Sequence, residues 1–430
     1  MPRSLIAKVI FSVLVAGSTV FASAIVSAEE VKYVVLISVD GLAASYIDDP
    51  KAELPTLRML AKLGTRAEGM ITTFPSVTWP SHTSLITGTT AAKHGVIGNS
   101  VFDRRAGREL VYIGDPELEK ADAIKVPTLY DVARAAGLKC GSVIWPCCNG
   151  AKSLDWCIPD SNKQAIHDKY TTPGFVEELK QAGIDISELG KWGWDKKYSS
   201  RRDDLYTRVA LHLLEKHQAN LILLHLITPD GVEHAYGPHT PEAYRAVAEA
   251  DANVKRVWDA LQKPPFAGKS ALFVTSDHGF APIEKLIRPN VELKRLGLIE
   301  TDDKNKPTQR QAWCVAQGGS AIINQFLDQF SRAPAPNVHA AMIWDGAGLH
   351  RAHDLKVPAN VTFLTLPPYS TELNGIENLW HDFRSHCWSN RVYANDDELF
   401  EVASATWCQN CLDPDRIKSV CAKNDIPTRR

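Results

Sequence analysis

The sequence predicts an α/β protein built on a largely parallel sheet. Continuous apolar runs alternate along the chain with segments of helical spacing, which is the order typical of such sheets. The first run, residues 31–39, is apolar at nearly every position, as expected of a strand that is buried on both faces. Three of the runs are followed closely by Asp, or by Asp and His, which places reactive side chains at one edge of the sheet.

The predicted elements follow in order from the first strand. Pro55 and Gly64 delimit a first helix. Pro80 suits the first turn of a second helix, which continues over residues 81–87. The remaining elements are a helix and then a strand within residues 125–145, a helix at 203–218 before a strand at 221–227, and a helix at 242–261 before a strand at 271–276.

Composition argues against one class of function. The 430-residue chain carries 48 Lys and Arg against 50 Asp and Glu, a net charge of −2. A dedicated nucleic-acid binder would carry a basic surface, so this balance disfavours that class. Hydrophobic residues make up 44% of the chain, which is enough for a large core.

The first 28 residues have the pattern of a signal peptide. Arg3 and Lys8 precede an apolar stretch at 9–27, and Val26-Ser27-Ala28 fits the small-residue rule for cleavage. We therefore expect an exported protein, periplasmic or secreted, with no membrane contact beyond residues 1–28; an uncleaved anchor is the alternative. An oxidising compartment would permit a disulfide among Cys140, Cys147, Cys148 and Cys157, whose pairing stays open.

The strand ends carry a pattern of metal ligands. Asp40 ends the first strand, Asp230 and His234 follow the strand at 221–227, and Asp277 and His278 follow the last strand. A single Asp after a strand is more often a cap or turn residue. Three strands that deliver such residues to one edge of the sheet can surround a metal pair, and Asp with His suits zinc.

Thr78 is the candidate nucleophile. It precedes Pro80 and therefore lies close to a helix N-terminus. The positive end of the helix dipole and its free N–H groups favour an alkoxide and a phosphate there. The alternative is that Thr78 serves only as the N-cap of that helix.

Five segments carry a resemblance to a known family. The segments are VVLISVDGL, FPSVTWPSHTSLITG, HGVIGNSVFD, PDGVEHAYGP and TSDHG. In this order they resemble type I phosphodiesterases/nucleotide pyrophosphatases of the alkaline phosphatase superfamily, over about residues 31–323. The resemblance implies an alkaline-phosphatase-like sheet with flanking helices and two zinc ions, one held by Asp40, Thr78, Asp277 and His278 and the other by Asp230 and His234.

The same resemblance implies the chemistry. Zinc would activate Thr78 for attack on phosphorus, giving a phospho-threonine that water then hydrolyses. Asn99 would hydrogen-bond a phosphoryl oxygen, and Trp79 would help to stack a nucleobase. The implied substrate is a small-molecule phosphodiester or nucleotide; a phosphomonoesterase of the same superfamily is the alternative.

The resemblance to this family breaks near residue 323. The family needs a third ligand beside Asp230 and His234, a His followed by Gly, and no His-Gly pair occurs after His278. The first histidine after His278 is His339. We therefore expect a truncated phosphodiesterase domain at residues 29–323, with its second zinc site incomplete and its activity impaired.

Residues 324–430 resemble a different family. VHAAMIWDGAGLHRA and LTLPPYSTELNGIENLW are similar to the catalytic-domain end of an IS630-type (Tc1/mariner-like) DDE transposase, a partial ribonuclease-H-like α/β fragment. The resemblance implies that Asp345 and Glu377 are two of its three acids. Lys and Arg number 10 here against 13 Asp and Glu, so we expect no functional nucleic-acid partner. The simplest explanation of this junction is a phosphodiesterase gene interrupted by an insertion element, because both parts look incomplete, and an evolved two-domain protein is the alternative. A non-functional product of the disrupted gene and a DNA-acting transposase are the alternative functions.

Overall fold

The computed structural model describes residues 31–103, 108–192, 199–284, 286–295, 297–325, 340–344 and 361–365. The chain divides into two compact units at Asn324. Asp345, Glu377 and the histidines from His339 onward lie outside the described residues.

The strands of the first unit form one central sheet and several short ribbons. They are β1 (Tyr33–Val39), β2 (Ser100–Asp103), β3 (Arg108–Val111), β4 (Cys140–Trp145), β5 (Trp156–Pro159), β6 (Leu221–Leu226), β7 (Ser270–Thr275), β8 (Ile299–Thr301), β9 (Pro307–Arg310), β10 (Ala312–Gln317) and β11 (Ser320–Gln325), whose last residue lies beyond the division. The central sheet has the order β5-β4-β6-β1-β7, and all its pairs are parallel. This confirms the predicted α/β class.

Helices flank this sheet. They are α1 (Ser45–Asp48), α2 (Pro55–Leu63), α3 (Thr78–Thr87), α4 (Ala91–His94), α5 (Lys120–Ala123), α6 (Leu129–Ala135), α7 (Gln164–Tyr170), α8 (Phe175–Gln181), α9 (Leu189–Trp192), α10 (Ser199–Glu215), α11 (Thr228–Tyr236), α12 (Pro241–Leu261) and α13 (Pro289–Arg295). Among the described residues, no helix combines the length and apolarity that crossing a bilayer requires.

The core explains why the central strands are continuously apolar. Val35, Ile37 and Val39 of β1 pack into one cluster with α10 and α12. Val34 and Leu36 face a second cluster on the other side of the sheet. In a half-exposed strand, polar and apolar residues alternate. Because both faces of β1 are covered, its residues are instead apolar at nearly every position.

The strand register brings the candidate site to one edge. Val39 of β1 lies level with Leu226 of β6, and Ser38 lies level with Thr275 of β7. The residues that follow these three strands therefore emerge together at the carboxyl edge. Asp230 and His234 lie one turn apart on α11, and Thr78 is the first residue of α3, with Val77 rather than Thr78 at its N-cap.

The second unit is described only by two strands. β12 (Ala340–Trp344) and β13 (Val361–Thr365) pair in parallel. β12 ends one residue before Asp345. The five cysteines of the described residues, Cys140, Cys147, Cys148, Cys157 and Cys314, are buried free thiols.

A buried carboxylate fixes the start of α11. Asp203 of α10 is 1% exposed, and its two oxygens accept hydrogen bonds from the backbone N–H groups of Ile227 and Thr228, at 3.0 and 2.9 Å. These N–H groups have no partner within their own helix. Asp203 therefore stabilises the element that carries Asp230 and His234.

We expect Asp203→Ala to lower the free energy of unfolding by about 3 kcal/mol, since two hydrogen bonds to a charged, buried group are lost. Urea denaturation followed by circular dichroism measures this. Asp204→Ala is the matched control, because the neighbouring carboxylate is exposed and pairs only with Arg256 at the surface; it should cost less than about 0.5 kcal/mol. Equal losses in both variants would show that Asp203 does not anchor α11.

Candidate active site

His278 lies at the centre of the candidate site. Its Nε2 atom is 3.5 Å from the hydroxyl oxygen of Thr78. The same atom lies 3.4 Å from Asp40 Oδ1, 3.4 Å from Asp277 Oδ2 and 3.9 Å from Asp230 Oδ1. The structure thus brings together residues from the ends of β1 and β7 and from the first turns of α3 and α11.

Three carboxylate oxygens in this cluster have no hydrogen-bond partner. They are Asp40 Oδ1, Asp230 Oδ1 and Asp277 Oδ2, and each is buried. A buried acceptor without a donor costs free energy, and native proteins rarely leave one unsatisfied. Three such oxygens around one imidazole nitrogen are an arrangement that fits a bound cation.

The tautomer of His278 supports the same interpretation. Its Nδ1 atom lies 3.2 Å from the carbonyl oxygen of Gly279, which can only accept, so Nδ1 carries the hydrogen. In the neutral ring, Nε2 then presents a lone pair toward the carboxylate oxygens. A backbone carbonyl that fixes the tautomer in this way is the usual partner of a metal-binding histidine.

Burial and mutual repulsion perturb the acids of the site. Burial raises the pKa of Asp40 well above its usual range, and the neighbouring Asp277 and Asp230 raise it further. Burial also acts to raise the pKa of Asp277, but His82, His278 and His225 lower it by more, so that its net pKa is lowered. Without a cation, the charge of this pair therefore resides on Asp277 and the proton on Asp40.

His225 confirms where that proton lies. Its Nδ1 atom donates to the carbonyl oxygen of Ile144 at 2.9 Å, and its Nε2 atom lies 2.9 Å from Asp40 Oδ2. Burial lowers the pKa of His225 to about 3, so its ring is neutral and Nε2 is an acceptor. The hydrogen between the two side chains must then come from Asp40.

The backbone at Gly41 holds Asp277. The N–H groups of Gly41 and His278 donate to Asp277 Oδ1 at 3.2 and 2.9 Å. Gly41 has φ of 77°, and a Cβ atom there would lie 2.8 Å from the ring of Phe280. Only glycine therefore allows the turn after β1 that directs this N–H group at Asp277, which follows β7.

Asp160 is a residue of this site that the strand-end pattern in the sequence did not reveal. This residue follows β5 and is buried at the same edge of the sheet. Burial raises its pKa to about 8, and Asp277 and Asp230 add to the shift. The rule that identified Asp40, an Asp after an apolar strand, also applies to Asp160, but β5 is only four residues long and gives too weak a signal.

A cavity of about 520 Å³ opens beside the nucleophile candidate. Thr78, Asp40, Asp230 and His234 lie on its wall with Asp160 and Arg202, and Val111 and Ile113 add an apolar side. A cavity of this size accommodates a small organic molecule. Thr78 and three of the proposed ligands, Asp40, Asp230 and His234, therefore meet a space where a substrate can bind, whereas Asp277 and His278 line a neighbouring cavity of about 470 Å³.

Asn99 and Trp79 also line this cavity. The Asn99 side-chain oxygen accepts a hydrogen bond from the Trp79 backbone N–H at 2.9 Å, which holds the carboxamide beside the start of α3. Trp79 is only 3% exposed, and its ring packs against Tyr112 with centroids 5.5 Å apart. Because so little of this ring is accessible, its stacking on a nucleobase stays a prediction.

His234 lies at the periphery of the site. Its side chain is 68% exposed, and Nε2 is 3.4 Å from Asp230 Oδ1, which raises the pKa of His234. In the described part of the chain, the residues here whose ligand atoms converge as a metal-binding group are Asp40, Asp230 and His278, without His234.

Two family models match this chain. Residues 34–332 match the model of the type I phosphodiesterase / nucleotide pyrophosphatase family, and residues 294–400 match the DDE superfamily endonuclease model. The two matches overlap at 294–332, so the change of identity along the chain falls within this stretch.

Individual relatives are more distant. An uncharacterized pyrophosphatase/phosphodiesterase of Schizosaccharomyces pombe is 26% identical over 310 residues, which are 71% of this chain and 56% of that protein. Human ectonucleotide pyrophosphatase/phosphodiesterase family member 1 is 27% identical over 57% of this chain and 23% of its own length. The chain thus spans about half or less of these curated relatives.

A solved structure of murine ectonucleotide pyrophosphatase / phosphodiesterase 5 in complex with AMP is 20% identical, with a TM-score of 0.48, over 71% of this chain and 68% of that one. The family assignment rests instead on the family model, which covers most of the chain. With its described site residues gathered at the carboxyl edge of a parallel sheet, the chain belongs to the type I phosphodiesterase/nucleotide pyrophosphatase family.

Proposed function

We propose that the first unit hydrolyses phosphodiester or nucleotide pyrophosphate bonds of small molecules, with Thr78 as the nucleophile. The observation that carries this proposal is the position of the Thr78 hydroxyl, 3.5 Å from His278 Nε2, among three unpartnered carboxylate oxygens and beside an open cavity. Family membership supports the reaction class.

Two zinc ions are the cofactors that we propose. Asp40, Thr78, Asp277 and His278 would hold one, and Asp230 and His234 would hold the other. When bound, zinc lowers the pKa of a coordinated hydroxyl and neutralises charge on a phosphoryl group. The orphaned oxygens of Asp40, Asp230 and Asp277 support a cation at this edge.

Thr78 and Asn99 carry out the attack on phosphorus and stabilise the charge that develops there. Thr78 attacks phosphorus from the N-terminal end of α3, where backbone N–H groups favour a phosphoryl group. As the new P–O bond forms, the hydroxyl proton of Thr78 passes to water, and the P–O bond to the leaving alcohol or phosphate breaks, so that this group departs through the cavity. The carboxamide of Asn99, oriented by its bond to Trp79, donates to a non-bridging oxygen as negative charge develops. The covalent phospho-threonine is then hydrolysed by water that enters through the cavity.

Second-layer histidines keep the acids in place. His225 is bonded to Asp40, and the buried His82 lies 3.5 Å from Asp277 Oδ2. Without a cation, burial lowers the pKa of both imidazoles. Both rings lie against the carboxylates that we propose as ligands, so their packing limits the movement of these side chains.

We expect Thr78→Ala to abolish hydrolysis of bis(p-nitrophenyl) phosphate while leaving the circular dichroism spectrum unchanged, because the variant lacks the attacking oxygen. Thr78→Ser keeps a hydroxyl and should retain measurable turnover. Thr87→Ala, at the far end of the same helix, is the matched control and should turn over like the parent. Undiminished turnover in Thr78→Ala would remove Thr78 from the mechanism.

A phosphomonoesterase is the second candidate, and Arg202 is the observation that favours it. A monoester carries one more negative charge than a diester, and Arg202 is the one Lys or Arg among the described residues that line the cavity. Asp160, on the same wall, opposes this effect when it is ionised. We propose the diesterase because the site gathers more acids than bases.

The ratio of diester to monoester hydrolysis tests this choice. We expect bis(p-nitrophenyl) phosphate to be hydrolysed faster than p-nitrophenyl phosphate, and Arg202→Gln to leave that ratio within about threefold. Arg208→Gln, at a partly exposed arginine of the same helix whose guanidinium donates to the Gly183 carbonyl, controls for a loss of positive charge. A monoester preference that Arg202→Gln removes would establish the second candidate instead.

We also propose that the native chain is an impaired enzyme. Asp230 and His234 would supply two protein ligands, whereas catalytic zinc ordinarily has three, and the side chain of His234 is exposed. Both facts support a weakly held second ion. Residues 324–430 would be a DDE transposase remnant, joined by a gene disruption and without a functional nucleic-acid partner, and residues 1–28 a signal peptide for export. If the impairment is complete, the chain is a non-functional product of the disrupted gene.

We expect the hydrolysis rate of the purified chain to rise steeply as zinc is added through the micromolar range, because the Asp230 and His234 side of the site must fill from solution. The rate of Asp230→Asn should no longer respond to added zinc. A rate that is already maximal without added metal would contradict the proposed impairment.

A further inference from the structure

A second cluster of metal-ligand side chains lies at the opposite edge of the sheet. It consists of Glu178 of α8, His212 of α10 and His217, which follows α10 and precedes β6. Asp230 follows the other end of β6, so the length of the strand separates the two places. The ring of His217 packs on Trp156, the first residue of β5, with centroids 4.2 Å apart.

The three side chains converge on one point. His212 Nε2 lies 2.7 Å and His217 Nε2 lies 2.5 Å from the same oxygen, Glu178 Oε1. The three potential ligand atoms all lie within 4.8 Å of one another. Neither imidazole is near the cavity beside Thr78.

We propose that Glu178, His212 and His217 bind a divalent transition-metal ion, with Zn²⁺ the best match, at a site separate from the catalytic one. Two imidazole nitrogens and one carboxylate oxygen are a donor set that suits zinc. Ca²⁺ and Mg²⁺ prefer sites made of oxygen atoms, so this composition disfavours them.

Metal binding here requires only a local rearrangement. Without metal, both Nε2 atoms donate hydrogens to one carboxylate oxygen. To bind zinc, each ring moves its hydrogen from Nε2 to Nδ1, so that no net proton is lost. The donor atoms then separate to about 3.3 Å, as zinc bonds of about 2.0–2.1 Å in tetrahedral geometry require.

The surroundings favour such a site. The side chains are 12%, 18% and 34% exposed for His212, His217 and Glu178, which leaves a path for the ion and a position for water. Phe175 and Trp156 pack on the rings and limit their movement. Partial burial acts to raise the pKa of Glu178, but its bonds to the two histidines lower it by more, so the carboxylate stays ionised.

A bound ion would link α8 to the segment that leads into β6. This segment also forms backbone hydrogen bonds to the end of α10 and to Lys139 before β4. The site would therefore stabilise the fold rather than take part in hydrolysis, and its occupancy does not depend on the proposed reaction.

Zinc binding by the full chain tests the proposal. Metal-free protein is dialysed against Zn²⁺ at pH 7.5, and bound zinc is measured for the parent and for His212→Gln/His217→Gln. We expect the double variant to bind about one zinc per chain fewer than the parent. Glu177→Gln, which changes an exposed neighbour on α8, is the matched control and should bind as the parent does.

A second measurement covers the case in which the double variant does not fold. Glu178→Gln alone keeps a hydrogen-bond acceptor for both rings, and it should also lose about one zinc. In a chain whose catalytic acids are neutralised by Asp40→Asn/Asp277→Asn, zinc should still raise the melting temperature, but not when Glu178→Gln is added. Zinc content equal to that of the parent in a folded Glu178→Gln protein would overturn the proposal, whatever the hydrolytic activity.

Discussion

Repulsion among buried carboxylates is the constraint on which this site depends. Asp40, Asp160, Asp230 and Asp277 are gathered at the carboxyl edge of one parallel sheet, where burial weakens the screening that water would supply. The fold tolerates them by protonation, by the histidines bonded to them and by backbone N–H groups directed at Asp277. A bound cation would replace protonation as a means of reducing this repulsion. The folding of this edge and its chemistry would then depend on the same ion.

One half of the proposed site is better formed than the other. The residues that we propose as ligands around Thr78 come from β1, α3 and the end of β7 and converge on His278. Asp230 and His234 also precede residue 294, but any further ligand of theirs would have to come from elsewhere in the chain. His234 stands exposed, and the change from one family to the other falls within residues 294–332. β7 is also the last strand of the sheet in the described residues, and its side chains are only partly buried.

Much of the fold could be predicted from the sequence because long strands buried on both faces leave continuous apolar runs. β1 and β6 are of this kind, and the acids that follow them were identified with them. Asp160 was missed because β5 is too short to leave such a run. The partners of Asp40 and Glu178 could not be predicted, since His225 and His217 meet them across 185 and 39 residues of chain and only the packed sheet brings them together.

The most direct test of repulsion among these buried carboxylates is the stability of the metal-free chain between pH 7 and pH 8. In this window the histidines with lowered pKa are neutral in the folded chain, and in the unfolded chain about a quarter of each is protonated at pH 7, so each adds only about 0.1 kcal/mol of opposite slope. Asp160 has a folded pKa of about 8, far above its unfolded value, so it stabilises the folded chain at low pH and loses that effect as the pH rises through 8. We expect the free energy of unfolding to fall by about 1 kcal/mol or more between pH 7 and pH 8, and by distinctly less in Asp160→Asn. Stability that stays constant or rises with pH, or an equal slope in the variant, would contradict it.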